Sequence, residues 1–180
     1  MRFPRPSAAA AVLCLALCAC DEGKPRHPPP DPFAGPLSPP QAEAGAPKKG
    51  QSEGLPKRAE AADFTFDHIG QAFDPLNHKP ARTARDRAIA FDGFAFDPVR
   101  RIPGHGVDVV VDGKAYGATY GKARPDVAGY FKAAVLTDVG FTLTLPARSL
   151  AVGPHTASIR VLSSDGTAYF QGPPIAFEVE

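Results

Sequence analysis

The chain has 180 residues, of which 43% are hydrophobic, and its 20 basic and 19 acidic side chains leave a formal net charge of +1. This balance argues against a nucleic-acid-binding protein, and no apolar run reaches the roughly 18 residues of a membrane-spanning helix. The 21 prolines and 17 glycines exceed the usual share, which indicates that part of the chain lies outside any packed core. We therefore expect one small domain with unpacked flanking sequence, and neither a coiled coil nor a large multidomain enzyme.

The first twenty residues have the pattern of a secretory signal. Arg2 and Arg5 precede the apolar run Ala8–Ala19, which is too short to stay in a bilayer as a helix. The run ends in the letters LCAC at positions 17–20, which resemble the lipobox of bacterial lipoproteins. The resemblance implies a signal peptide at 1–19 and attachment of lipid, including palmitate, to Cys20. Ordinary secretion with cleavage at the same place is the alternative.

The positions of the cysteines limit how the fold is held together. All three cysteines lie at or before position 20, so a chain that begins at a lipidated Cys20 can form no disulfide. The lipoprotein class implies several acyl chains, which make attachment effectively permanent. We expect the protein in the cell envelope with the membrane as a partner. Asp21 resembles an inner-membrane retention signal and favours the periplasmic face of that membrane.

A proline-rich stretch follows the anchor. Residues 21–62 contain ten prolines, balanced charges, and only Leu37, Leu55 and Phe33 as large apolar side chains. Such a composition buries too little apolar surface to offset chain entropy. We predict a disordered linker over 20–62 that acts as a spacer.

The remaining residues, 63–180, carry a repeated alternation of apolar and polar side chains. This period of two is typical of half-buried antiparallel strands. The alternating runs are 64–66, 107–111, 141–145, 157–161 and 175–179. Asp-Gly pairs at 112–113 and 165–166 supply the tight turns between such strands. The spacing predicts an all-β, immunoglobulin-like antiparallel β-sandwich of about seven strands.

Two segments depart from simple alternation. In Ala88–Asp97, Ile89 and Phe91 share one parity while Phe94 and Phe96 have the other. A β-bulge at 92–93 would turn both pairs towards the core, and we predict one there. The segment Pro125–Phe131 is the only predicted helical turn.

Six motifs together resemble a recurring bacterial extracytoplasmic Ig-like module. They are DGFAFDP at 92–98, VDVVVDGK at 107–114, YG at 120–121, RPDVA at 124–128, GF at 140–141 and GPHT at 153–156. Phe94 stands where the module usually has tryptophan. Such modules occur alone or appended to envelope proteins and to cell-wall or glycosyl-transfer enzymes. The resemblance implies no catalytic role.

The candidate ligand-binding residues cluster around the RPDVA motif. They are Tyr116, Tyr120, Arg124, Asp126 and Tyr130. In the functional interpretation, the tyrosine rings stack on a sugar or a peptide, and the Arg124 guanidinium binds it through two hydrogen bonds. In the structural interpretation, which we favour, Asp126 caps the helical turn and Arg124 pairs locally.

Other polar residues give weaker patterns. The histidines show no spacing typical of a metal site, so we expect neither a metal nor a cofactor. His155 is predicted to be a hydrogen-bonding edge residue. Asp108 and Asp112 fall on the polar face of one predicted strand and are interpreted as solvated charges.

These observations predict a non-catalytic envelope lipoprotein that presents one Ig-like binding or assembly module. Its partner would be an envelope protein or a cell-wall glycan, and no nucleic acid. Two alternatives remain open. One is an envelope hydrolase whose groups meet only in the fold, for example Asp126 with His105 or His155. The other is a passive spacer or accessory subunit of an envelope complex.

Overall fold

The computed structural model describes residues 46–180. The predicted signal peptide at 1–19, the predicted lipidation residue Cys20 and the first part of the predicted linker lie outside the described residues. Strands dominate the described part and form two sheets around a shared apolar core. This arrangement confirms the predicted all-β, immunoglobulin-like sandwich. Within residues 46–180, none of the helices is long and apolar enough to cross a bilayer.

The strands form one sheet of seven and one of five. In chain order the elements are β1 (Lys48–Lys49), β2 (Asp63–Ile69), β3 (Ala72–Phe73), β4 (Ala81–Thr83), β5 (Ile89–Phe96), β6 (Gly106–Val111), β7 (Lys114–Gly117), β8 (Thr119–Lys122), α1 (Pro125–Phe131), a 3₁₀ turn (Ala134–Asp138), β9 (Gly140–Leu145), β10 (Gly153–Leu162), β11 (Tyr169–Gln171) and β12 (Ile175–Val179). The first sheet has the order β1-β7-β6-β10-β12-β4, with β11 also paired to β10, and the second has the order β3-β2-β5-β9-β8. All pairings are antiparallel except that of β4 with β12.

The core forms where the alternating runs of the two sheets face each other. The five predicted runs lie in β2, β6, β9, β10 and β12, and their apolar members are buried except Phe64, which is half-buried. Phe66 lies at the centre and makes edge-to-face contacts with Phe64, Phe91 and Phe141. Such contacts add to the stabilisation from burial alone. Phenylalanine therefore supplies the largest side chains of this core, at five buried positions: Phe66, Phe91, Phe141, Phe170 and Phe177.

The irregularity predicted in β5 lies on its neighbour β2. Phe66 is paired with Gly93 and His68 with Asp92, so Asp67 is the extra residue of a bulge. Because two consecutive residues of β2 then point outward, Ile69 returns to the core. The predicted bulge at 92–93 is wrong in position: β5 keeps its alternation from Ile89 to Ala95.

Phe94 and Phe96 stay on the outer face of the second sheet instead of turning into the main core. There α1 and the 3₁₀ turn cover them and form a second apolar cluster with Val127, Leu136 and Val139. Because this face is covered, the two phenylalanines are shielded from solvent although they point away from the main core, and the strand register does not change. The predicted helix at Pro125–Phe131 is confirmed, and burying these rings is what it does in the fold.

The folded domain begins earlier than predicted. Residues 46–62, which we call the strap, were assigned to the disordered linker, yet Lys48 and Lys49 pair with β7. The strap then crosses to β11, where Lys57 forms a bridge with Tyr169. Composition missed this segment because backbone hydrogen bonds, rather than apolar side chains, hold it to the sheet.

Asp108 is the reason the strap follows this path. Its carboxylate accepts hydrogen bonds from the backbone N–H groups of Gln51, at 2.9 Å, and Ser52, at 2.7 Å. The strap leaves Asp108 fully buried, so the interpretation of this side chain as a solvated charge is wrong. Asp112, by contrast, is exposed at the turn after β6.

Candidate functional site

The candidate site lies on the outer face of the second sheet, around the start of α1. Arg124 occupies the N-cap position and Pro125 the first helical position, where a missing N–H costs nothing. The predicted cap by Asp126 is therefore misplaced, since Asp126 lies inside the first turn. Lys132 ends the helix in the left-handed conformation.

Arg124 is held by two carboxylates. Its Nη1 donates to Asp67 Oδ2 at 2.6 Å, while its Nε and Nη2 donate to Asp126 at 2.9 and 2.7 Å. The pairing with Asp126 confirms the local ion pair expected from the sequence. Asp67 reaches Arg124 because the bulge in β2 turns its side chain outward. The guanidinium is thus engaged internally and does not offer an open fork to a ligand.

Burial and charge set the ionisation of this network. Hydrogen bonding to Asp126 raises the pKa of Arg124, and the same contact lowers the pKa of the exposed Asp126 carboxyl. Desolvation raises the pKa of Asp67 even though Arg124 lies beside it and opposes the shift. Asp126 is consequently the more firmly ionised of the two carboxylates.

An open groove of about 530 Å³ borders the network. We call it the Tyr130 groove, and its lining residues are Thr65, Phe94, Asp126, Val127, Tyr130 and Phe131. Tyr130 is 82% exposed and packs edge-to-face on Phe131 with 5.0 Å between ring centroids. Arg124 lies 5.5 Å from the Phe94 ring centroid, and Arg101 lies 5.8 Å from that of Phe131. The groove therefore combines aromatic rings with fixed charges.

A smaller polar pocket of about 200 Å³ lies on the other side of Arg124. Asp67, Asp92 and Lys122 contribute its charged groups. Asp92 Oδ1 lies 2.9 Å from His68 Nδ1. The bulge that turns Asp67 outward also turns His68 outward, so one irregularity of β2 supplies both contacts.

The structure divides the five predicted site residues. Asp126 and Tyr130 line the Tyr130 groove, and Arg124 lies beside it, paired with Asp126. Tyr116 lies in β7 of the first sheet, where the Lys114 ammonium is 5.0 Å from its ring centroid. Tyr120 lies in β8, and its hydroxyl donates to the Ala95 carbonyl oxygen at 2.7 Å. Neither Tyr116 nor Tyr120 lines the groove.

Sequence reasoning missed three residues of this surface. They are Asp67, Phe94 and Phe131. In the sequence, Phe94 has the opposite parity to Ile89 and Phe91, but this change of parity predicts a bulge and not an aromatic residue on the outer face. Asp67 carried no local signal, because it lies 57 residues from Arg124 in the chain.

Tyr120 has a structural role that a substitution can test. Its oxygen also accepts the Gly104 N–H at 3.1 Å, and desolvation raises the pKa of the phenol to about 12. We expect Tyr120→Phe to lower the free energy of unfolding by about 1–3 kcal/mol, because the Gly104 N–H and the Ala95 carbonyl lose a partner. Urea unfolding monitored by circular dichroism measures this. Tyr130→Phe, which removes an exposed hydroxyl, is the control and should change stability by less than about 0.5 kcal/mol.

The proposed pairing of Asp126 with a histidine is absent from the described residues. Asp126 binds Arg124, whereas His155 Nδ1 lies 2.6 Å from Asp112 Oδ2. His155 Nε2 lies 2.9 Å from the Ala151 carbonyl oxygen. Both neighbours accept hydrogen bonds, so this geometry suits a doubly protonated ring. His155 is thus a hydrogen-bonding residue near the start of β10, in line with the sequence interpretation.

The His155–Asp112 pair predicts a pH dependence of stability. Burial lowers the pKa of His155, but hydrogen bonds to Asp112 and Ala151 outweigh it, and the net pKa is raised. For Asp112, burial raises the pKa, but hydrogen bonds from His155 and Thr156 outweigh this effect, so the net pKa is lowered. The histidine contribution is complete below about pH 6.5 and is lost as pH rises through the raised pKa. The aspartate contribution is complete above about pH 4 and is lost as pH falls.

We therefore expect the pair to stabilise the domain most between about pH 4 and pH 6.5. The measurement is urea unfolding of wild type and His155→Gln at about pH 5.5 and about pH 8.5. We expect the difference in their free energies of unfolding to be smaller at the higher pH. A difference that is equal at the two pH values would contradict the assignment.

Among residues 46–180, no group of three or more histidine, cysteine, aspartate or glutamate side chains is arranged to hold a metal ion.

The chain has few detectable similarities to known proteins. No family model matches it, and no curated protein matches it. One solved structure, that of CopC from Methylosinus trichosporium OB3b, is similar over 66% of this chain and 94% of its own, with 19% sequence identity and a TM-score of 0.33.

Proposed function

We propose that this protein is a lipid-anchored, non-catalytic component of the bacterial cell envelope that binds a partner through the Tyr130 groove. The lipobox-like letters at 17–20 and the proline-rich stretch before the strap support the anchoring and the spacing. The motif resemblance to an extracytoplasmic Ig-like module supports the envelope location.

One observation carries the binding role: a largely exposed aromatic ring stands beside a charged network that the fold has already oriented. A solvent-exposed tyrosine gains free energy when a partner covers it, and tyrosine is enriched at binding surfaces for that reason. Arg124, Asp67 and Asp126 fix one another, so little side-chain entropy is lost when a ligand contacts them.

The contacts of the titratable groups favour binding over catalysis. His155 uses both ring nitrogens in hydrogen bonds, and Asp126 is committed to Arg124. His68 and Asp92 form an imidazole–carboxylate pair beside the polar pocket, an arrangement that favours the hydrolase alternative. Asp92 lines the polar pocket, but the His68 ring packs against Phe73 with 5.3 Å between centroids. A reaction centre needs both groups directed at one substrate position.

The anchor is tested by metabolic labelling with radioactive palmitate. We expect wild-type protein to carry label and to fractionate with membranes, and Cys20→Ser to lose the label. Mass spectrometry of the mature N-terminus should place the modification on Cys20. A labelled Cys20→Ser variant, or an unmodified mature N-terminus, would contradict the lipoprotein assignment.

The binding role is tested in cells with the photocrosslinker p-benzoylphenylalanine introduced at position 130. We expect discrete adducts from position 130 and fewer from position 73, because Phe73 is also exposed but lies outside the groove. Equal labelling from the two positions would contradict a dedicated binding surface at the Tyr130 groove.

A further inference from the structure

We propose that the Tyr130 groove binds uncharged pyranose units of a glycan strand. This inference rests on the proposed binding role of the same groove and names its ligand class. It draws on three features of the described residues: the occupied guanidinium, the exposed ring beside a carboxylate, and the size of the groove.

The first feature, the guanidinium of Arg124 held by two carboxylates, makes an anionic ligand a poorer fit than a neutral one. All three nitrogens of the Arg124 guanidinium donate to carboxylates, at distances between 2.6 and 2.9 Å. These contacts use three of the five N–H donors, and a phosphate or uronate would compete with Asp67 and Asp126 for the single arginine charge. Arg124 pairs with both Asp67 and Asp126, so the network beside the groove has a net charge of −1 and does not favour a second anion.

The second feature matches the two chemical faces of a sugar. Tyr130 offers an apolar ring face on which the C–H face of a pyranose can stack, and Phe131 supports it edge-on. Asp126 lines the same groove with a side chain that is 63% exposed. An ionised carboxylate has about four acceptor positions, so Asp126 can accept hydroxyl groups while it binds Arg124.

The third feature favours a glycan over a folded protein partner. Protein interfaces of standard size bury about 800 Å² on each partner and have a core depleted of charge. The Tyr130 groove is instead bordered by Asp126 and has a volume within the range of small-ligand pockets, about 300–1,000 Å³. One or two sugar rings suit such a site better than a flat protein surface.

Binding is tested with detergent-purified full-length chain and four tetrasaccharides. Chitotetraose, cellotetraose and maltotetraose are neutral, and tetragalacturonate is the anionic probe of equal length. Isothermal titration calorimetry measures binding by wild type and by the variants alike. We expect at least one neutral probe to bind about tenfold more tightly than tetragalacturonate.

Variants locate the binding. We expect Tyr130→Ala to weaken the neutral probe about fivefold to tenfold through loss of stacking. Phe73→Ala removes an exposed ring elsewhere and should leave binding unchanged. Asp126→Asn frees part of the Arg124 fork, so it should weaken the neutral probe and strengthen tetragalacturonate.

Several results would overturn the inference. These are the failure of all three neutral probes, tighter binding of tetragalacturonate by wild type, or equal binding by wild type and Tyr130→Ala. Crosslinking at position 130 separates this failure from that of the proposed function. If position 130 captures a protein and no neutral probe binds, the glycan assignment is wrong while a binding role for the groove stands. If neither occurs, both proposals fall.

Discussion

Replacing Asp108 by alanine is expected to lower the free energy of unfolding by about 3–5 kcal/mol. The carboxylate is fully buried and is the acceptor for the N–H groups of Gln51 and Ser52. Without it, two backbone donors either stay buried without a partner or draw the strap away from β6. Chemical unfolding followed by circular dichroism measures the loss.

Hydrogen exchange distinguishes the two consequences of Asp108→Ala. Faster exchange at Gln51 and Ser52 alone would show release of the strap, and faster exchange in the core strands would show general destabilisation. Asp108→Asn keeps one acceptor oxygen and should fall between wild type and alanine. Asp86→Ala changes an exposed aspartate and should stay within about 0.5 kcal/mol of wild type. A loss for Asp108→Ala no larger than that of the control would refute the role assigned to Asp108.

A methyl group at position 93 is expected to cost about 3 kcal/mol. Gly93 lies opposite the bulge of β2, and a Cβ atom there would be 2.0 Å from the Thr65 carbonyl oxygen. Because the obstacle is backbone, β2 and β5 must move apart. We expect Gly93→Ala both to lower stability and to draw Asp67 away from Arg124.

Gly129→Ala is the matched control for Gly93→Ala. Gly129 lies within α1, and the space where its Cβ would stand is open. Alanine is a better helix former than glycine, so this variant should be unchanged or more stable by up to about 1 kcal/mol. Melting temperatures of the two variants, with the NMR signal of the Arg124 Nε–H as a probe of the ion pair, provide the comparison. Similar melting temperatures would show that the bulge tolerates a side chain.

Asp108→Ala tests the strap and Gly93→Ala tests the bulge of β2. Neither feature could be predicted from the pattern of neighbouring residues in the sequence. The apolar residues of β5 change parity near residue 92, yet β5 itself is regular and the extra residue lies on its partner β2. Pairing decides where a bulge forms, because only the partner determines which residue is left over. The same pairing turns Asp67 towards Arg124, so the charged network of the Tyr130 groove follows from the bulge.

The sequence alone determined the β-sandwich, its main core strands and the single helix, because periods of two and of 3.6 follow from the geometry of strand and helix. It also grouped Arg124, Asp126 and Tyr130, since those three lie within seven residues of each other. Only the tertiary structure decided that Asp67 and Phe94 belong with them, and that Tyr116 and Tyr120 do not. It likewise decided that residues 46–62 belong to the domain and that Asp108 is buried. Those outcomes depend on contacts between residues far apart in the chain, and a contact of that kind leaves no periodic trace in the sequence.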